Sequence, residues 1–345
     1  MSAATPKRDQ SASASLTAPQ SSSTAAGWDW RDSLTRTELQ ALLEIDDRRS
    51  WLTLATNWGI IAASFALVAW AANPFTILLA IFAIGGRQLG LAVIMHEAAH
   101  RTFFKNRALN DWAGNWLAAY PVWTDLVPYR HYHLKHHAKT GTAEDPDLGL
   151  VHPFPITRAS MWRKVWRDLS GQTGWKQAKA VAKRDLGIGS GLGANMRNQA
   201  PFNPASDAPR TGWRVVAPVA ITNAVILGIL AVCGAPELYL LWVVAWLTTN
   251  RLVTRLRSIA EHAMSDDMSD PLRNTRTTLA SWWERLFLAP NRVNFHLEHH
   301  LLMTVPHHNL PQLHRLLRDR GVLSRANVAH GYWEVFRAAA SKQAA

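Results

Sequence analysis

WLTLATNWGIIAASFALVAWAA, residues 51–72, is an uncharged apolar run of 22 residues, and a helix of about 20 such residues spans the hydrocarbon of a bilayer. Ala71 to Pro74 then turn the chain without a charge. FTILLAIFAIGGRQLGLAVIM, residues 75–95, runs back with Arg87 as its single charge; an arginine in the cytoplasmic half of a span is expected to snorkel to the headgroups. The two runs read as a transmembrane hairpin whose second arm ends in His96-Glu97-Ala98-Ala99-His100. A second hairpin follows the same plan. Residues 215–232 cross, 234–236 turn, and 238 to about 250 return before continuing as a charged helix through Arg251, Arg255 and Arg257. That return arm is short for a full crossing, so it is expected to tilt little or to let Arg251 snorkel.

Charge gives the hairpins a direction. Lys and Arg crowd residues 31–49, 101–214 and 251–337, whereas the two turns carry none. The positive-inside rule therefore puts both termini and the long middle segment in the cytoplasm. The net charge of +12 is not interleaved with an aromatic reading motif, so nucleic acid is not an expected partner. Seventeen tryptophans suit a membrane interface. Cys233 is the single cysteine, which excludes an internal disulfide, a zinc ribbon or a cysteine-held iron–sulfur cluster.

Residues 1–27 are rich in Ser, Ala and Thr without an apolar run, and read as a disordered tail instead of a secretory signal. Within residues 28–50, Leu34, Leu39, Leu42, Leu43 and Ile45 recur at helical spacing, as in an amphipathic helix lying on the membrane surface. Residues 51–345 then form one membrane-embedded domain. In it, residues 110–128, with Trp112, Trp116, Tyr120 and Trp123, read as an interfacial or re-entrant helix broken at Pro121 and Pro128. Residues 161–183 read as a basic surface helix, 187–209 as a loop, and 310–318 as an amphipathic helix opened by Pro311. The expected fold is an all-α membrane protein. It has two transmembrane helical hairpins, four spans in all, and a cytoplasmic helical cap carrying the histidines.

Those histidines come in three groups. In Arg130-His131-Tyr132-His133-Leu134-Lys135-His136-His137, four of eight residues are imidazoles. His133, His136 and His137 share one helical face at i, i+3 and i+4, while His131 falls off it. The spacing recurs at His296, His299 and His300, and His96 and His100 stand at i, i+4. His-Glu-Ala-Ala-His alone fits a zinc protease with the glutamate as general base, but that reading leaves two groups unexplained. Eight clustered imidazoles suit two metal ions, each with an open position. Their place at a membrane face, beside unactivated methylenes, favours iron and oxygen-dependent hydrogen abstraction.

His96-x-x-x-His100, His133-x-x-His136-His137 and His296-x-x-His299-His300, in this order and with these flanking spans, resemble the membrane fatty acid desaturase superfamily. Asp145-Pro146-Asp147, Ala260-Glu261-His262, Thr275-Arg276-Thr277, and Asn309-Leu310-Pro311 with His314 extend the resemblance over roughly residues 51–317. The resemblance implies a membrane-bound fatty acyl desaturase with two iron ions and O2 as co-substrate. It also implies a lipid acyl substrate from the bilayer and an external electron donor of ferredoxin or cytochrome type. It adds His262 to the ligands and puts Ser258 near the metal. Glu97, Asp145, Glu261 and Glu298 are then expected to accept hydrogen bonds from the distal imidazole nitrogens.

His131, His152, His307, His308, His314 and His330 read as surface histidines. Arg101, Lys105 and Arg107 serve topology, with docking of an acidic donor as a second reading. The resulting localisation is integral and multi-pass, in a bacterial inner membrane, with termini and active site cytoplasmic. A hydroxylase or ketolase of an alkane, carotenoid or sphingoid chain is the alternative on the same scaffold. An intramembrane zinc protease and a metal-binding sensor are the alternatives from other classes.

Overall fold

A computed structural model describes residues 29–187 and 212–343. The expected tail at 1–27 and almost all of the expected loop at 187–209 lie outside the described residues. The chain is mostly helical. Helices α1 (Arg36–Leu42), α2 (Asp47–Trp70) and α3 (Pro74–Ala99) open it, followed by α4 (Arg107–Ala113), α5 (Leu126–Lys139), α6 (Leu148–Val151), α7 (Arg158–Leu169) and α8 (Gln172–Asp185). After the undescribed segment come α9 (Trp213–Val232), α10 (Tyr239–Leu247), α11 (Thr249–His262), α12 (Trp282–Phe287), α13 (His296–Leu301), α14 (Leu310–Asp319) and α15 (Tyr332–Ala339). A two-residue parallel pairing of β1 (Thr277–Thr278) with β2 (Val328–Ala329) departs from the all-α expectation.

The first hairpin forms for reasons visible in its sequence. Asp46 caps α2 through the Arg48 and Arg49 amides. Asn73 caps α3 in a capping box with Thr76, and Pro74 sits where helices tolerate proline. Three helices, α2, α3 and α9, are long and apolar enough to cross a membrane. Their surroundings differ: α9 exposes Ile221, Val225, Ile229 and Val232, whereas α3 is buried along almost all of its second half. Helix α3 is therefore the axis of the molecule, packed by α2, α5, α10 and α11.

Several expectations need correction. The fourth arm is not one helix: the chain breaks at Thr248 (φ −119°, ψ −87°) between α10 and α11. The break has a physical cause, because the Thr248 hydroxyl bonds back to the Val244 carbonyl at 2.6 Å and the Thr249 hydroxyl crosses to the Ile81 carbonyl at 2.7 Å. Arg87 does not snorkel. Arg87 is buried and donates to the Arg285 carbonyl at 3.1 Å and to the Leu286 carbonyl, satisfying the open end of α12. Arg251 donates to the Trp246 carbonyl at 3.0 Å and lies over the Trp246 ring.

The helix read within 28–50 is shorter than expected, and its Leu42 is fully buried with Leu313 and Leu317 of α14 instead of meeting lipid. An Arg320–Glu38 ion pair closes the same contact. The basic helix at 161–183 is two helices, α7 and α8, separated by Gly171 in the left-handed region (φ +79°). Trp162, Trp166 and Trp175 remain exposed on them. Residues 110–128 are broken near Pro121 as expected, into α4, a π-helical stretch Gly114–Ala119 and a 3-10 turn Tyr120–Val122, but Pro128 makes no break: it lies in the first turn of α5, where a helix tolerates proline.

Candidate metal centre

Four elements bring imidazoles to the end of α3. His96 and His100 leave its last turn, α5 brings His133, His136 and His137, α11 ends on His262, and α13 brings His296, His299 and His300. They fall into two groups. His96, His100, His133, His137 and His299 make one, and His136, His262, His296 and His300 the other; within each group the donor nitrogens lie within 4.8 Å of one another. The helical phase explains the division. On α5 the i, i+4 pair joins the first group and the i+3 residue the second, and α13 does the reverse. His131 belongs to neither group.

The spacing of the nitrogens tests whether metal fits. The Nε2 atoms of His96 and His299 are 2.8 Å apart, those of His100 and His133 2.9 Å, those of His133 and His137 2.9 Å, and those of His137 and His299 3.1 Å. In the second group, His262 and His296 stand at 2.8 Å. With bonds of about 2.1 Å, two nitrogens on one metal lie roughly 3.0 Å apart at right angles and roughly 3.4 Å apart at the tetrahedral angle. The observed values are close enough for these nitrogens to share a metal ion. His300 Nε2 is buried without a hydrogen-bond partner, as expected of an atom kept for a cation. The donor set is compatible with metal binding.

Electrostatics favour the same state. Burial first, and neighbouring imidazoles second, push His133, His137, His262, His296 and His300 well below the ordinary imidazole range. Burial takes His299 down to about 4, against the pull of Glu97. Shifts in this direction favour the neutral ring, the form in which imidazole binds metal. His136 is the exception: burial, the largest single effect, opposes its protonation, but the Asp145 hydrogen bond and the charges of Asp147 and Asp145 together outweigh it and raise its pKa.

Of the four expected carboxylates, Asp145 makes the expected hydrogen bond, Glu261 comes close to an imidazole without one, and two do neither. Asp145 Oδ1 stands 2.7 Å from His136 Nδ1 and also receives the Asp147 amide. Glu261, held by Arg257, lies 3.5 Å from His296 Nδ1. Glu97 and Glu298 touch no imidazole of the two groups through a hydrogen bond. Glu97 receives the Thr102 hydroxyl at 3.2 Å and the His307 amide at 3.0 Å. Thus committed, it is not poised as the general base of a zinc protease. Glu298 receives the Thr277 hydroxyl and His314 Nδ1, the latter at 2.6 Å. Ser258 bonds to the Thr254 carbonyl of its own helix at 3.0 Å.

His307 and His314 are therefore buried, and His308 half-buried, instead of lying on the surface; His152 and His330 are exposed as expected. Sequence reasoning missed Tyr129. Its hydroxyl lies 3.1 Å from His96 Nδ1, and its ring stacks on His133. A signal existed, since Tyr129 stands four residues before His133 and so shares its face. Beside His96 and Tyr129 opens a cavity of about 380 Å³, bounded by α3, α5, α8 and α11.

Comparison with known proteins puts this geometry in context. The fatty acid desaturase family matches residues 68–332. The dihydrorhizobitoxine desaturase of Bradyrhizobium elkanii is 28% identical over 275 residues, 76% of this chain and 74% of that protein. The sn-1 oleoyl-lipid 12-desaturase of Picosynechococcus is 23% identical over 81% of this chain and 80% of its own length. The sn-1 acyl-lipid omega-3 desaturase (ferredoxin) of Synechocystis is 34% identical, but over 32% of this chain and 29% of its own. All nine histidines of the two groups lie inside the stretch that matches the family, and the chain belongs to it: this is a membrane oxidoreductase of the fatty acid desaturase family.

Proposed function

We propose that this protein desaturates a lipid acyl chain at a pair of iron ions held by His96, His100, His133, His137 and His299 on one side and by His136, His262, His296 and His300 on the other. The observation that carries the reading is the spacing of neutral imidazole nitrogens in two adjoining groups. With O2 and two electrons, such an iron pair supplies the oxidising power to take one hydrogen from each of two adjacent carbons. The chain's own groups bind, orient and exclude water. Asp145 fixes the ring of His136 and Tyr129 that of His96, each through Nδ1, leaving Nε2 for metal, while the charge of Glu261 lies beside Nδ1 of His296. Glu97 and Glu298 hold the covering segments, through His307 and His314.

The same reading extends to topology and partners. Helix α9 with the broken α10–α11 arm makes the second hairpin, so that the chain crosses four times. The basic regions put both termini and the histidines on the cytoplasmic face of a bacterial inner membrane. Electrons come from a separate ferredoxin- or cytochrome-type protein, for which exposed Arg101, Lys105 and Arg107 offer a basic surface. The similarity to the Synechocystis omega-3 desaturase (ferredoxin) supports a ferredoxin.

The test is metal analysis of purified protein together with lipid profiling of cells making wild type or His299→Ala. Two irons per chain, and an unsaturated product lost in the variant, are expected. One zinc per chain, or undiminished product from His299→Ala, overturns the assignment. A hydroxylated or oxo product would move it to the alternative reaction on the same scaffold.

A further inference from the structure

The cavity beside His96 has a neighbour. A second cavity of about 450 Å³ lies between α8, α9 and α10, lined almost wholly by apolar groups such as Ala178, Val219, Ala220 and Trp242. Trp123 and Trp246 line both cavities, and no other tryptophan does. Their rings stand 5.6 Å apart at 37° and form the wall between an inner chamber, which reaches His96, and an outer one, which touches no histidine.

This wall is fixed on every side. Trp123 Nε1 donates to Asp185 Oδ2 at 3.1 Å, and Trp246 Nε1 donates to the Val122 carbonyl at 3.0 Å. The Arg251 guanidinium covers the Trp246 ring at 4.4 Å. The backbone of Trp123 is also unusual. The Trp123 amide bonds to the Tyr120 carbonyl and the Thr124 amide to the Ala119 carbonyl, each at 3.1 Å. That pair of bonds closes a helix end on a left-handed residue, and Trp123 has φ +61° and ψ +51°. Glycine is the residue this position favours, and a bulky side chain there is an outlier that calls for a function.

We infer that the Trp123–Trp246 pair is a fixed stop that limits how much acyl chain extends past the reacting carbons, and so sets the chain lengths this enzyme accepts. The inference rests on the reading of the site as an acyl desaturase. Two indoles tied by their N–H groups do not swing aside as a gate would. A chain reaching the inner chamber ends against them, and the outer chamber stays out of reach.

The test uses the full-length protein in cells supplied with saturated fatty acids of graded length, with products resolved by gas chromatography. Trp123→Gly removes the indole while installing the residue that this backbone favours, and thermal unfolding of the purified variant in detergent checks that it folds. It should join the two chambers and shift the product distribution toward longer chains, and Trp246→Leu should do so less strongly. Ala220→Phe narrows the outer chamber alone. It should leave the wild-type distribution unchanged but reverse the shift when combined with Trp123→Gly.

An unchanged distribution in Trp123→Gly overturns the stop, as does a shortened one in Ala220→Phe alone. Loss of all product in both tryptophan variants also counts against a role confined to chain length. Wild type that makes no more unsaturated product than His299→Ala would instead overturn the desaturase reading itself.

Discussion

Asp145 and Glu298 are two buried carboxylates that each receive a histidine Nδ1, yet they do different work. Asp145 holds His136, whose Nε2 faces the second group of nitrogens, while Glu298 holds His314, which lies outside both groups. Asp145→Asn should therefore lower metal affinity by about 10- to 100-fold, the usual effect of losing an orienting partner. Titration of the purified variant with iron checks this. Glu298→Gln should leave metal content near wild type while costing about 1.5–3 kcal/mol of stability, the range for a hydrogen bond to a charged group. Thermal unfolding in detergent reads that loss. Equal metal loss in the two variants would show that the carboxylates share one role.

Among elements, the junction of α3 with α12 shows how close packing and polar capping are combined. A Cβ on Gly86 would lie 2.6 Å from the Phe287 carbonyl oxygen, so only glycine lets the end of α12 rest on α3. The next residue, Arg87, then reaches the Arg285 and Leu286 carbonyls. Gly86→Ala is expected to push α12 away and to cost about 1–3 kcal/mol, as overpacking does. Gly228 on α9 has nothing within 4 Å of an added Cβ. Gly228→Ala should then be neutral or stabilising by up to about 1 kcal/mol. Comparing the unfolding temperatures of the two variants in one detergent decides the point, and similar losses would place the α3–α12 contact elsewhere.

For the whole molecule, the open question of sidedness has a built-in probe. Cys233, the single cysteine, is exposed in the turn after α9. If α9 and the broken arm cross as proposed, an impermeant maleimide added to intact spheroplasts should label Cys233. A Cys233→Ser, Ser341→Cys variant should label only after permeabilisation. The opposite pattern would reverse the orientation drawn from the charges.

The sequence by itself determined the apolar lengths, the caps of the first hairpin and the three histidine spacings. Each of these is a local property: hydropathy over about 20 residues, a side chain reaching an amide two or three residues on, and a helical phase of 3.6. The same local rules left the fourth arm unbroken on paper, because the hydroxyl of Thr249 finds its acceptor on Ile81, across the molecule. They also sent Arg87 to the headgroups, because the open carbonyls of α12 lie 198 and 199 positions away in the chain. His307 and His314 read as surface residues because their carboxylate partners lie on other elements.

Only the tertiary structure decided how nine imidazoles divide into five and four, since α5 and α13 each turn one histidine toward the opposite group. It alone set Trp123 against Trp246, two indoles 123 residues apart whose contact depends on a left-handed residue closing one segment and a break at Thr248 ending another. Spacing along a helix is written in the sequence, but contact between segments depends on how their buried faces fit.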